Sequence, residues 1–259
     1  MSANSIIYGP VPSWRLGRSL GIDLLSTKGK TCSFDCVYCQ LGRTVHPLVE
    51  RKEFITVSKL TEELERVKGV IADYITFSGV GEPTLAVNLG EAIALARSVL
   101  GLPVAVLTNS SLMTREDVRQ DLVLADVVVA KVDAPGEEVF HQVNRPFSKC
   151  GLEEIIQAIN LFREQYKGKL ALQMMFINAN KNYAEEMAAI AGKLSPDEVQ
   201  LNTPLRPSAV KPLIPRDIDS IREEFHGLKN VVSVYEATRP EVNPLDLKET
   251  LIRRPRINT

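Results

Sequence analysis

Short β-branched stretches alternate with longer segments of helical periodicity along most of the chain. Strands are predicted at Leu20–Leu24, Tyr74–Ser78, Val104–Thr108, Val127–Val132, Leu170–Phe176, Val199–Asn202 and Val231–Tyr235. Several are nearly continuous apolar runs, the pattern of parallel strands covered on both faces. Helices are predicted at Ser58–Lys68 with a Ser cap, Asn88–Leu100 stopped by Gly101, Glu153–Tyr166, Tyr183–Leu194 and Arg216–Phe225. Strand–helix–strand alternation implies parallel strands with right-handed crossovers, in a barrel or an open sheet. No Gly-x-Gly-x-x-Gly follows a strand, so a dinucleotide-binding fold has no support. Either remaining architecture gathers ligands at the C-terminal ends of the strands. The main domain is expected to end near residue 236. Residues 237–259 form a proline-bearing tail with a short helical stretch at Leu245–Ile252 and the basic run Arg253-Arg254-Pro255-Arg256. This tail either packs on the body or stays mobile.

Composition narrows the class. The chain has 259 residues, 44% hydrophobic and 24% charged, enough for one large core. A net charge of -1 gives no support for strong non-specific nucleic-acid binding. No apolar run approaches the ~20 residues of a membrane span. The opening Met1-Ser-Ala-Asn-Ser-Ile-Ile lacks the features of a signal peptide. A cytoplasmic, reducing location is therefore expected, and the cysteines read as ligands or reactive groups rather than disulfides.

Three of the 4 cysteines lie in Cys32-Ser-Phe-Asp-Cys36-Val-Tyr-Cys39, a C-x3-C-x2-C pattern just after the first predicted strand. Three thiolates in one loop can hold three corners of an iron–sulfur cube. The alternative is zinc, which favours paired C-x2-C units and four protein ligands. Only Cys150 and the scattered His46, His141 and His226 could complete such a set.

The cysteine spacing, with Tyr38 before the third cysteine, resembles the signature of the radical S-adenosylmethionine (SAM) superfamily. The resemblance implies a 4Fe–4S cluster on Cys32, Cys36 and Cys39, with SAM chelating the fourth iron and Tyr38 beside the cofactors. It implies reductive cleavage of SAM to a 5′-deoxyadenosyl radical that abstracts hydrogen from substrate. It also implies an α/β fold, an open partial (β/α)6 barrel rather than a closed eight-fold one, and an external one-electron donor of flavodoxin or ferredoxin type. Gly79-Val-Gly81-Glu82-Pro83 is similar to the superfamily's Gly-Gly-Glu motif. Ser78, Gly79, Gly81 and Glu82 are accordingly expected to hold SAM, though an ordinary strand-to-helix turn reads the same way. Asn109 ends the third strand, where it can bond SAM or cap the following helix.

Lys131 and Asp133, two apart, share a strand face. They are candidate catalytic residues, or else a structural ion pair. Asn144, Arg145 and Arg206 are candidate substrate contacts. Gln200 and Asn202 share a face and are candidate SAM contacts. Met174 and Met175 read as core.

Further segments, from Tyr8-Gly-Pro to Leu20-Gly21, Cys39–Thr44, Lys131-Val-Asp133-Ala, Asn144-Arg145-Pro146 and Gln200–Pro207, are similar to a radical SAM family related to the wyosine-base synthases of tRNA. Three departures stand against equating them. Those synthases hold a second cluster, and residues 1–31 contain no cysteine. They use a Schiff-base lysine that Lys131 does not demonstrably match. They must also hold a folded tRNA, whereas this chain is short and not basic. Relatives often continue past an Arg-Arg-Pro segment, where this chain ends almost at once. The expected substrate is a small molecule or a protein residue. A tRNA base is the alternative, favoured by Arg15, Arg18, Arg43 and Arg253–Arg256. A non-catalytic iron–sulfur protein is a third reading. No membrane partner is expected.

Overall fold

A computed structural model describes residues 5–256, so residues 1–4 of the opening stretch and 257–259 of the tail lie outside the described part. The chain begins with a hairpin, β1 (Ile7–Ser13) and β2 (Gly17–Ile22), then two short strands, β3 (Thr31–Cys32) and β4 (His46–Pro47). Next come α1 (Val57–Arg66), β5 (Tyr74–Phe77), α2 (Leu89–Leu100), β6 (Val104–Thr108), α3 (Glu116–Leu122) and β7 (Val127–Lys131). The series continues with α4 (Glu137–Val143), α5 (Leu152–Gln165), β8 (Lys169–Met175), α6 (Ala184–Leu194) and β9 (Glu198–Asn202). It ends with α7 (Pro215–Glu224), β10 (Val231–Ser233) and α8 (Leu247–Arg253).

The main sheet has eight strands in the order β1-β2-β5-β6-β7-β8-β9-β10. From β2 to β10 every pairing is parallel, and β1 alone is antiparallel. The sheet is open between β1 and β10, so the fold is the expected partial barrel. Its seven parallel strands match the seven predicted from the pattern and are one more than the (β/α)6 barrel that the resemblance implies. Every predicted strand is present with ends shifted by a few residues. β1 went unread because Tyr8-Gly-Pro-Val-Pro-Ser has turn residues and prolines that sheets tolerate at an edge, where β1 lies. α1 starts on Thr56, whose side chain accepts from the Lys59 amide, rather than on the expected Ser58. The helix that Asn109 was read as able to cap begins only at Glu116, after a 3₁₀ turn at Ser111–Thr114.

The sheet's two faces differ. Outward residues such as Ile75, Val106, Val128, Leu172 and Leu201 pack against the helices in the large core. Inward residues Ala105, Val127, Val129 and Ala171 enclose Leu16, which plugs the base of the half-barrel from the β1–β2 turn. Toward the strand C-termini the inward positions turn polar, giving Ser19, Thr76, Lys131 and Gln173. The period-2 alternation of strands thus places an apolar floor below a polar cavity.

The tail packs on the body, choosing between the two states the sequence left open. The Gly9 amide donates to Thr250 Oγ1 at 3.0 Å, and the Leu245 amide to the Gly9 carbonyl at 2.6 Å. Arg253 is buried. Its Nε donates to Asp23 at 2.8 Å, Nη1 to Glu249 at 2.8 Å and Nη2 to the Ser5 carbonyl at 2.9 Å. Removing one member of such a pair strands a buried charge. Arg253→Ala is expected to lower unfolding free energy by about 3–5 kcal/mol in urea titration. A loss under ~0.5 kcal/mol would mean that the tail is undocked in solution.

Candidate active site

The site is built from the cysteine loop and the turn after β5. The Thr31 amide donates to the Val80 carbonyl at 3.0 Å, and the Glu82 amide to the Thr31 carbonyl at 3.2 Å. Glycine is required here by close approach. A Cβ on Gly81 would lie 1.6 Å from the Thr31 carbonyl oxygen, and one on Gly79 would lie 2.2 Å from the Asp23 carboxyl carbon. The glycines expected to admit a ligand thus first admit the loop that carries Cys32.

Glu82 is buried and uses both oxygens. Oε1 accepts from the Thr84 amide, Thr84 Oγ1 and Thr108 Oγ1 at 3.2, 2.7 and 2.7 Å. Oε2 accepts from the Asn109 amide at 2.6 Å. Burial pushes its carboxyl above the usual range despite these donors. Glu82 therefore locks the glycine turn to the end of β6.

The cysteine thiols each face a nitrogen donor. Asn109 Nδ2 lies 3.5 Å from Cys32 Sγ and 2.9 Å from Ser33 Oγ. Asn144 Nδ2 lies 3.5 Å from Cys36 Sγ, 3.2 Å from the Tyr38 hydroxyl and 2.9 Å from Asp133 Oδ2. Buried Lys30 faces all three sulfurs. Burial alone would lower its pKa, but the charges of Cys39, Cys32 and Cys36 outweigh burial and raise it. Burial pushes the Cys32 thiol up to about 12 and raises Cys36 as well. These thiols call for a cation that stabilises thiolate, which is what cluster iron supplies. A structural zinc site would add a fourth protein ligand on the same ion, and neither Cys150 nor a histidine lines the cavity beside the three thiols. The three thiols suit a cluster, in which each binds its own iron.

A cavity of about 290 Å³ opens beside this loop. Its wall includes Cys32, Cys36, Cys39, Tyr38, Ser78, Gly79, Gly81, Glu82, Asn109, Lys131, Asn202 and Arg206. The structure thus brings most of the sequence-predicted residues together. Lys131 Nζ is 3.5 Å from Asp133 Oδ2 and sits 4.6 Å from the centre of the Tyr38 ring.

Four predicted residues sit elsewhere. Asp133 is buried behind the cavity, accepting from the Tyr38 hydroxyl, Asn144 and the Met175 amide. Asn144 lies with it under the cysteine loop, away from where a substrate contact was expected. Gln200 is buried beside the cavity, donating to Glu198 at 2.7 Å, with its Oε1 unpartnered. Arg145 is exposed on a second cavity, of about 920 Å³, on the other side of the loop. Arg18, a basic candidate, pairs with Asp73 at 2.6 Å below the site. Cys150 lines neither cavity.

Sequence reading missed Lys30 and Arg239 on the main cavity wall, and named Arg254 only as part of the basic run in the tail. Lys30, two residues before Cys32, was the one legible signal.

With this geometry in hand, comparison with known proteins is decisive. The family model of the Radical SAM superfamily matches residues 27–191. The chain belongs to the radical SAM superfamily. It is an S-adenosylmethionine-dependent enzyme, and the superfamily's cofactors are a 4Fe–4S cluster and SAM. The chain is 41% identical to a UPF0026 protein of Methanocaldococcus jannaschii over 84% of this chain and 69% of that one. It is 40% identical to a UPF0026 protein of Synechocystis over 90% of this chain and 84% of that one. Streptococcus suis SuiB bound to S-adenosylmethionine shares the fold. Its TM-score is 0.62 at 12% identity, covering 79% of this chain and 48% of SuiB. This radical SAM chain therefore spans about half of that solved relative. No helix among the described residues is long and apolar enough to cross a membrane.

Glu82→Gln places an amide N–H₂ among groups that themselves donate. The variant is expected to lose about 2–3 kcal/mol of unfolding free energy in urea titration of the cluster-free protein. Unchanged stability would show that the carboxylate is not the lock between turn and β6.

Proposed function

We propose that this radical SAM enzyme holds its 4Fe–4S cluster on Cys32, Cys36 and Cys39 and acts on a small molecule or a protein residue. The observation that carries the reading is the placement of all three cysteines on the wall of one cavity, facing Lys30 and the glycine turn. When bound and reduced, the cluster supplies the electron that splits SAM into methionine and a hydrogen-abstracting 5′-deoxyadenosyl radical.

The chain's own residues bind and orient. Asn109 and Asn144 donate N–H to cysteine sulfur, stabilising negative charge there and setting the reduction potential. Ser78, Gly79, Gly81 and Asn202 offer hydroxyl, backbone and amide groups to SAM. Glu82 has its oxygens engaged by protein donors and acts mainly by fixing the turn. Lys131 presents a cation to a carboxylate of SAM or substrate, with Asp133 and the Tyr38 ring holding it in place. The apolar floor around Leu16 limits water entry from below. An electron donor of flavodoxin or ferredoxin type completes the cycle. The second cavity, on the solvent side of Cys36 and Cys39, is the natural approach for it.

A tRNA base is the second reading, supported by the wyosine-synthase resemblance and the arginines on the cavity wall. The experiment is 5′-deoxyadenosine formation by anaerobically reconstituted protein with SAM, dithionite and host-cell extract, with and without ribonuclease treatment. Stimulation by extract that survives ribonuclease is expected and supports a small molecule or protein. Stimulation abolished by ribonuclease moves the substrate to RNA. SAM that neither binds nor is cleaved would leave an electron carrier.

Replacing Cys32, Cys36 or Cys39 with Ala is expected to abolish the 4Fe–4S absorption band and SAM cleavage. Cys150→Ala is expected to leave both intact. Wild-type iron content in Cys36→Ala would overturn the ligand assignment.

A further inference from the structure

Four arginines from distant parts of the chain meet at the open side of the half-barrel. Arg15 comes from the β1–β2 turn, Arg206 from the segment after β9, Arg239 from that after β10, and Arg254 from the end of α8. All four line the main cavity. They therefore flank the gap between the edge strands β1 and β10, with the docked tail supplying two of them.

No carboxylate among the described residues compensates any of the four by an ion pair, whereas Arg51, Arg163 and Arg253 are paired. Arg254 donates to Ser78 Oγ at 2.8 Å, and Arg206 to the Pro255 carbonyl, both uncharged acceptors. Arg15 Nε is buried without a partner. Burial, then repulsion from Arg254 and Arg206, pushes Arg15 down to about 9, with Glu198 opposing and Arg239 adding to the fall. Burial, Arg254 and Arg239 likewise lower Arg206 to about 10. Folding has gathered like charges at some cost, which a bound anion offsets.

SAM cannot be that anion. Its sulfonium and ammonium outnumber its one carboxylate, so it adds positive charge. Lys131 is already available to that carboxylate. The cluster's thiolates face Lys30.

We propose that Arg15, Arg206, Arg239 and Arg254 form a subsite for the phosphate groups of a small phosphorylated substrate. The guanidinium fork matches phosphate oxygens two at a time, and several forks converging suit a dianion better than a lone carboxylate. A small molecule fits better than a polymer. Three of the arginines are half-buried inside the cavity, with only Arg239 exposed at its rim, and the chain's net charge is -1. A nucleic-acid surface would spread its cations over the exterior. This inference rests on the radical SAM reading above for its substrate pocket.

The test is calorimetry on the anaerobically reconstituted full chain with SAM bound, at ~0.15 M salt to screen diffuse attraction. Inorganic pyrophosphate is the probe, with citrate and bulk tRNA as rivals. Pyrophosphate is expected to bind the wild-type protein more tightly than citrate does. Arg239→Gln and Arg254→Gln should each weaken it about tenfold or more. Arg216→Gln, at an exposed position on α7 away from the cavity, should leave it unchanged. Iron content and SAM affinity are measured on every preparation. If these are normal and pyrophosphate does not bind, the phosphate subsite is wrong while the radical SAM reading stands. If wild-type protein takes up neither cluster nor SAM, the parent reading fails instead. Citrate or tRNA binding more tightly than pyrophosphate, with the same loss in the arginine variants, also overturns the proposal.

Discussion

The C-terminal face of the sheet depends on one close contact, the Thr31 backbone against Gly81. Two main-chain hydrogen bonds and the absence of a side chain at Gly81 let the cysteine loop lie directly on the β5 turn. From that contact the rest follows in sequence. Glu82 ties the turn to Thr108 and Asn109, Asn109 reaches Cys32, and Asn144 ties Cys36 to the Tyr38–Asp133 pair. A motif that reads as a ligand cradle is thus also the keystone of the loop. Such a loop, otherwise free to take many conformations, is held by donors whose loss would leave buried acceptors unsatisfied.

Charge is divided across the cavity in a way that separates its tasks. Lys30 faces the thiols at one wall, Lys131 stands beside Tyr38, and the arginines occupy the gap side. The positive groups are thus spread over separate walls of the cavity rather than gathered in one patch. In a partly buried site charge interactions are stronger than at the surface, so misplaced charge would be correspondingly costly.

Much of this was legible in the sequence because it is local. The cysteine spacing, Gly79–Glu82 and the polar residues at strand ends are contiguous patterns. The period of two, however, misplaced Asp133 and Gln200, which do not line the cavity with Lys131 and Asn202, and β7 ends at Lys131. Lys131 and Asp133 do approach each other, and Met174 is core as read, whereas Met175 is only partly buried and lines the main cavity. What the sequence did not disclose depends on pairing across long separations. Asn144 lies 108 positions from Cys36, and Arg253 lies 230 from Asp23. No local pattern reports such partners. The edge strand β1 was likewise hidden, because its prolines are tolerable only once the strand's place at the sheet margin is known.

The tail shows how the same long-range packing links stability to the site. The Arg253 pair with Asp23, just after β2, and the Gly9 bond to Thr250 fix α8 on the β1–β2 hairpin, and the next residue, Arg254, then reaches Ser78 beside the glycine turn. Asp23 is also the residue whose carboxyl packs against Gly79, and its Oδ2 lies 3.4 Å from the Val80 amide. One buried carboxylate therefore touches the tail anchor and the turn together. A half-barrel has to close its open side with something other than strand pairing. In this chain the closing segment carries Arg239 and Arg254, so the element that completes the fold also supplies cations to the cavity wall.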